Sequence, residues 1–369
     1  MLPTGTLEDV LRKRLRNGDL PFREFVELVL YHPACGYYTR AKNPVGKGAD
    51  YVTAPLLSPV FSYALGNLVR EFLGRNEGEV CSIVDIGCGD GSLIRDLAQR
   101  DADPNARFFG VDRALSRLGP SSASGWQSAT SLAEVPKGTA QLIFSNELYD
   151  AFPFSRVVRR GDGLHELCVT ERDGSLDWSE REAPAELIRY FEDRRVELTD
   201  GQFADVSPEW ESFHADVVRF VERGLLVTID YGFPADKLFH PRARRFGTAA
   251  AYSGQRVSRD LLANPGQQDL TAHINFGDLQ RAGESNGAST LFFDRLAKFL
   301  LTLDITSHEL FRPVHEVTIS GAEEGLALIQ ERENARRLVL PDGIGVEMRV
   351  LVQAKGTFEE GWSFQQELF

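Results

Sequence analysis

Cysteine is scarce. Four thiols in 369 residues, Cys35, Cys81, Cys88 and Cys168, are scattered and none forms a Cys-x-x-Cys pair. That spacing argues against a disulfide framework and against a structural zinc site, and no metal is expected. Long apolar runs are missing as well: nothing approaches the roughly 18 consecutive residues of a membrane span, so a water-soluble globular chain is expected. The first twenty residues lack the continuous apolar stretch of a secretory signal and carry acids that an import leader avoids, which points to a cytoplasmic location. Positive charge is in deficit. The 41 basic against 54 acidic side chains leave a net charge of −13, which disfavours sequence-independent contact with nucleic acid or an anionic membrane and favours cationic partners. Gly-x-Ser-x-Gly, His-Glu-x-x-His and P-loop motifs are all absent.

What remains is a chain that is 42% apolar and long enough for two structural units, or for one large α/β domain with insertions. Thr6 and Asp9 form a capping box that opens a short helix, and Pro21 suits the first turn of a second one bearing Phe22, Phe25, Val26 and Val29. A loop rich in glycine and tyrosine follows. Ser58-Pro59 then starts a third helix with Phe61, Leu65, Leu68, Val69 and Phe72 at helical spacing. Beyond it, short apolar strands alternate with helices: Val80–Ile86, a helix from Ser92, Phe108–Val111, Ala140–Phe144, a helix from Ser207 to Arg223, then Leu225–Ile229. Strands that are apolar on both faces are covered on both faces, so the expected fold is α/β with a doubly wound parallel sheet. The division read from this pattern is an N-terminal helical segment and lid loop over residues 1–75, then a sheet domain over 76–369. Insertions fall at about 151–206 and 231–290, the first holding a hairpin and an acidic segment. Helical periodicity resumes around Phe292–Leu303, Gly345–Val352 reads as a last strand, and the end of the chain reads as an appended tail.

The chemistry is concentrated after the first strand, in Asp85-Ile-Gly87-Cys-Gly89-Asp-Gly91. Glycines there let the backbone turn sharply and approach a nucleotide-type ligand without an intervening Cβ. The next strand ends in Asp112, 21 residues after Gly91, placed to accept hydrogen bonds from ribose hydroxyls. NAD and S-adenosylmethionine sites share this layout. The third glycine or alanine of a pyrophosphate loop is replaced here by Ser92, and an acid at Asp85 suits the ammonium of a methionine moiety better than a dianion, so S-adenosylmethionine is favoured. The fourth strand runs into Ser145-Asn146-Glu147-Leu148-Tyr149-Asp150, which aims an amide and carboxylates at the substrate crevice. Glu147, Asn146 and Asp150 are the catalytic candidates, with helix capping as the competing explanation for Asn146 and Asp150. Tyr37, Tyr38, Tyr51 and Thr53 fit either a cofactor lid, with Tyr38 and Thr53 as contacts, or an aromatic core. His273 fits either a general base or a hydrogen-bonded core histidine.

The segments LYHPACGYY (30–38), GADYVTAP (48–55), the glycine loop, SNELYDAFPF (145–154), IDYGFP (229–234) and NPGQQDLTAHINF (264–276) together resemble the MidA-type methyltransferases. The resemblance covers about residues 20 to 290. Leu56 stands where that family's pattern usually has glutamate, and residues beyond about 305 match loosely. It implies a Rossmann-like class I methyltransferase sheet with a helical N-terminal segment and an inserted substrate-side region. It also implies S-adenosyl-L-methionine as cofactor and arginine methylation of a protein, a respiratory complex subunit in the mitochondrial members. A small-molecule N- or O-methyltransferase, or an assembly factor that binds cofactor without catalysis, are the alternatives. The oligomeric state stays open, a homodimer included.

Overall fold

The computed structural model describes residues 6–39, 58–101, 103–113, 125–254, 256–313, 322–356 and 360–367. The chain forms two compact units that interleave in sequence, one of Met1–Tyr51, Tyr149–Phe213 and Tyr231–Leu279, the other of Val52–Leu148, His214–Asp230 and Gln280–Phe369.

Among the described residues the second unit is built on seven strands: β1 (Cys81–Ile86), β2 (Ala106–Val111), β3 (Trp126–Ala129), β4 (Ala140–Asn146), β5 (Gly224–Phe233, whose last residues belong to the first unit), β6 (Ala288–Arg295) and β7 (Met348–Lys355). They lie in the order β6-β7-β5-β4-β1-β2-β3. The pairs β1–β2, β2–β3, β1–β4 and β4–β5 are parallel, and β6 runs antiparallel to β7. All six residues of β1 are buried, which is why the sequence shows an unbroken apolar run there rather than alternation. After β3 the chain crosses to the other side of β1 to lay down β4, so the carboxyl ends of β1 and β4 flank the topological switch point where an open α/β sheet leaves a crevice.

Three expectations change in this unit. The stretch read as helical from Phe292 is strand β6 up to Arg295, and the helix is Leu296–Thr302, because alternating side chains pair with β7 before the apolar face of the helix begins. The last strand starts at Met348, not Gly345; a Cβ on Gly345 would stand 1.8 Å from the Leu338 carbonyl oxygen. The terminal segment is not an appendage. Trp362 and Phe364 are each 1% exposed, Trp362 stacks 6.4 Å from Phe72, and Phe364 lies 5.9 Å from Phe299. Glu71 ties this segment down by accepting from the Ser363 hydroxyl at 2.6 Å, and the Arg75 guanidinium covers the Trp362 ring at 4.2 Å.

In the first unit the capping box forms as expected, Thr6 N–H donating to Asp9 Oδ2 at 3.0 Å and Asp9 N–H to Thr6 Oγ1 at 3.2 Å, at the head of helix Leu7–Leu15. Pro21 sits at the N-cap of helix Phe22–Tyr31, one position earlier than the first turn. The hairpin is Ser155–Arg160 with Gly163–Arg172, antiparallel, and the acidic segment after it supplies a third strand, Ser175–Glu182, and helix Ala185–Asp193. Trp178 explains that strand: its ring lies 4.9 Å from Phe22 and anchors an otherwise polar sequence to the apolar core of Phe22, Phe25, Val26, Leu30 and Phe154. A smaller antiparallel sheet joins Ala250–Ser253, Arg256–Ser258 and Asp269–Thr271.

Candidate active site

The glycine loop leaves β1 and is fastened to β2 on its way to helix Ser92–Arg100. Gly87 and Cys88 N–H both donate to the Val111 carbonyl, at 2.7 and 3.2 Å, and Gly89 N–H donates to Asp112 Oδ2 at 3.0 Å. Asp112 therefore shapes the loop with one carboxylate oxygen while standing at the end of β2. Gly91 is the helix N-cap at φ +72°, and a Cβ there would lie 2.6 Å from the Trp126 ring. Gly89 has φ +55° and open space where its side chain would be, as a loop that admits a ligand to its backbone requires. Trp126, 4% exposed, fills the floor beneath the loop and also abuts Gly110, a role that its place in a short strand of unremarkable sequence did not reveal.

Asp85 is the electrostatic centre of this cradle. It is 3% exposed, and burial, reinforced by the charges of Asp112 and Asp90, pushes its carboxyl up to about 8. Everything acting on it disfavours a further negative charge, so a dianionic pyrophosphate does not fit beside it, whereas a cationic group relieves it. S-adenosylmethionine carries a sulfonium and an ammonium, and the donor set suits it. Asp90 contributes by capping, its Oδ1 accepting from Ser92 N–H at 3.0 Å.

Beside the loop, across the β1–β4 pair, lies the end of β4. Ile86 is paired with Ser145, so Gly87 and Asn146 are next in register, and a Cβ on Gly87 would meet Leu148 Cδ1 at 2.8 Å. Asn146 Nδ2 donates to Glu147 Oε1 at 3.1 Å. Asn146 Oδ1 is buried and accepts no hydrogen bond among the described residues. Glu147 takes φ +51°, a left-handed conformation rare outside glycine, and its N–H is held by the Ile229 carbonyl at 2.9 Å. Asp173, Arg195, Asn264 and Asp304 share this conformation, so what singles out Glu147 is its place at the carboxyl end of β4 beside the switch point.

Asp85, Gly87, Gly89, Gly91, Asp112, Asn146 and Glu147 thus share the second unit, around the switch point. Asp150 and Tyr38 lie in the first unit. There Asp150 is 4% exposed, and the Tyr38 hydroxyl donates to Asp269 Oδ1 at 2.8 Å. Burial, with the charges of Asp269, Tyr31 and Asp150, raises the Tyr38 phenol well above its ordinary value. Tyr37 is a core residue at 3% exposure. Tyr51 and Thr53 fall outside the described residues. The His273 ring lies 6.1 Å from the Tyr231 ring, nearly parallel to it, and the His273 backbone N–H donates to Thr248 Oγ1 at 3.1 Å.

Comparison with known proteins agrees with this construction. Residues 111–293 match the family model described as "Putative S-adenosyl-L-methionine-dependent methyltransferase". Among curated proteins, the chain is 23% identical over 315 residues to "Protein arginine methyltransferase NDUFAF7, mitochondrial" of Danio rerio, covering 74% of this chain and 71% of that protein. The Homo sapiens protein of the same name is 22% identical over 325 residues, covering 78% and 70%. Among solved structures, a Burkholderia thailandensis protein bound to S-adenosyl-homocysteine is similar at TM-score 0.81 and 27% identity, over 96% of this chain and 92% of that one. With its Rossmann-like sheet and a cradle suited to this cofactor, the chain is an S-adenosylmethionine-dependent methyltransferase.

Proposed function

We propose that the protein transfers the methyl group of S-adenosylmethionine to a guanidinium nitrogen of an arginine in a protein partner. The observation that carries this reading is the Asn146–Glu147 pair: a buried amide oxygen with no hydrogen-bond donor among the described residues, next to a carboxylate fixed in a strained backbone, one register step from the glycine loop. The names of the mitochondrial relatives support the same acceptor.

When bound, the cofactor supplies a methyl group on a sulfonium sulfur, an electrophile. Asp85 faces its positive end, Gly87, Gly89 and Gly91 give it room, and Asp112 offers an oxygen to the ribose. A guanidinium is protonated below a pH of about 12, with no localised lone pair. The Glu147 carboxylate draws the charge toward the nitrogens it binds, and Asn146 Oδ1 accepts an N–H of the same group, leaving the remaining nitrogen as nucleophile. As the N–CH3 bond forms the S–CH3 bond breaks, and the extra proton on nitrogen leaves to Glu147 or water. Positioning and exclusion of water supply the acceleration.

The test is transfer of labelled methyl groups from S-adenosylmethionine to arginine-containing proteins and peptides, with acid hydrolysis to identify the methylated residue. Label on arginine that is lost in Glu147→Gln supports the reading. Label on small molecules only, or on another residue type, overturns it.

A further inference from the structure

Far along the chain from the cofactor loop, helix Ala322–Arg336 turns Arg332 and Ala335 inward, and Arg332 is only 6% exposed. Two of its nitrogens, Nε and Nη2, are buried and have no hydrogen-bond acceptor among the described residues. These two N–H groups form one edge of the guanidinium, the edge that grips both oxygens of an oxyanion at once. Neighbouring carboxylates do not serve it: Glu333 pairs with Arg336 at 3.0 Å, and Glu331 points to solvent. The negative end of the helix dipole offsets part of the buried charge but supplies no acceptor for these N–H groups.

The surroundings carry charges of both signs. The helix packs against the turn Glu309–Phe311 and helix Pro59–Arg75. At that turn the His308 ring lies 5.0 Å from the Tyr63 ring, and the Arg100 guanidinium stands 6.0 Å from the same Tyr63 ring. Burial, then Arg100 and Arg312, lower the His308 imidazole against the opposing charges of Glu309 and Glu331. Arg100 and Arg312 stand at this turn opposite Glu309 and Glu331, and the helix packed on it buries Arg332 with no acceptor for Nε and Nη2 among the described residues.

We propose that Arg332 anchors an oxyanion site, its Nε and Nη2 edge gripping a phosphoryl or carboxylate group where helix Ala322–Arg336 packs on the 308–312 turn. Methyl transfer does not use this corner, and the proposal stands or falls separately from the choice of methyl acceptor. A phosphoryl group and a carboxylate share the required chemistry, two oxygens on one atom, and the experiment separates them.

The experiment follows the melting temperature of the full chain in inorganic phosphate, in acetate and in chloride at matched ionic strength. The expected result is a rise of several degrees in phosphate, in acetate or in both, relative to chloride; phosphate alone marks a phosphoryl ligand and acetate alone a carboxylate. Arg332→Met should melt at or above the parent in chloride, having lost an uncompensated buried charge, and should lose the anion-specific rise. Arg332→Lys keeps the charge without the fork and should weaken the apparent affinity at least about tenfold, which keeps the test available if the methionine variant does not fold. No anion-specific rise in the parent, or the same rise in both variants, overturns the proposal.

Discussion

Replacing Asp85 by asparagine should stabilise the protein and cripple cofactor binding at the same time. The carboxyl is pushed from 3.8 up to about 8 by burial and by its acidic neighbours Asp112 and Asp90. The native state therefore binds a proton that the unfolded chain has released anywhere between those two values. Stability from this group is full below pH 3.8 and is lost as pH rises toward about 8. Each pH unit in that window costs about 1.4 kcal/mol, so the ceiling at pH 8.5 is about 6 kcal/mol. A neutral amide is close to the protonated acid in size and polarity, so Asp85→Asn should be about level with the parent at pH 4 and ahead of it by several kcal/mol, up to about 6, at pH 8.5. Denaturant titrations of both proteins across that range measure the difference directly, and other titrating groups cancel because they are common to both. Calorimetric binding of S-adenosylhomocysteine in buffers of different ionisation heat supplies a second measure: at pH 7 the ammonium of the ligand should displace most of a proton from the parent and none from the variant. A stability difference that does not grow between pH 4 and 8.5, together with no proton release, would refute the assignment of Asp85 as a protonated acid awaiting a cation.

The other expectations rest on separate contacts. Glu147→Gln should retain cofactor affinity within about twofold while single-turnover transfer falls by about two orders of magnitude, since an amide cannot localise guanidinium charge. Asp112→Ala should weaken cofactor binding by about 1.5–3 kcal/mol in a calorimetric titration, because it both frees the Gly89 loop and removes the acceptor proposed for the ribose. Trp362→Ala should cost about 3–5 kcal/mol in denaturant unfolding, the range for emptying a buried aromatic site, whereas a loosely appended tail would cost nothing. His214, buried and hydrogen-bonded to Gln353 at 2.7 Å, is pushed down to about 4, mainly by burial; its contribution is full above pH 6.5 and is lost as pH falls toward 4, so His214→Gln should flatten that limb of the stability profile.

Local chemistry was readable without coordinates. The capping box at Thr6 and Asp9, the Ser58-Pro59 helix start, the glycine loop between a buried strand and a helix, and Asp112 at the next strand end all depend on residues close in sequence, and propensity and periodicity report on these. The cofactor followed from the same short segment, because an acid before the first glycine and Ser92 after the last already separate a cationic ligand from a pyrophosphate. Tertiary structure decided what depends on distant partners. The β1–β4 pairing brings Asn146 and Glu147 beside Gly87, and only that register turns a carboxylate at a strand end into a neighbour of the cofactor loop. Trp126 became the floor of the cradle because it folds against Gly91 and Gly110, and Trp362 became core because helix Pro59–Arg75 lies beneath it. Burial, which raised Asp85 and left the Arg332 fork unfilled, is a property of what surrounds a residue, and the linear sequence does not carry it.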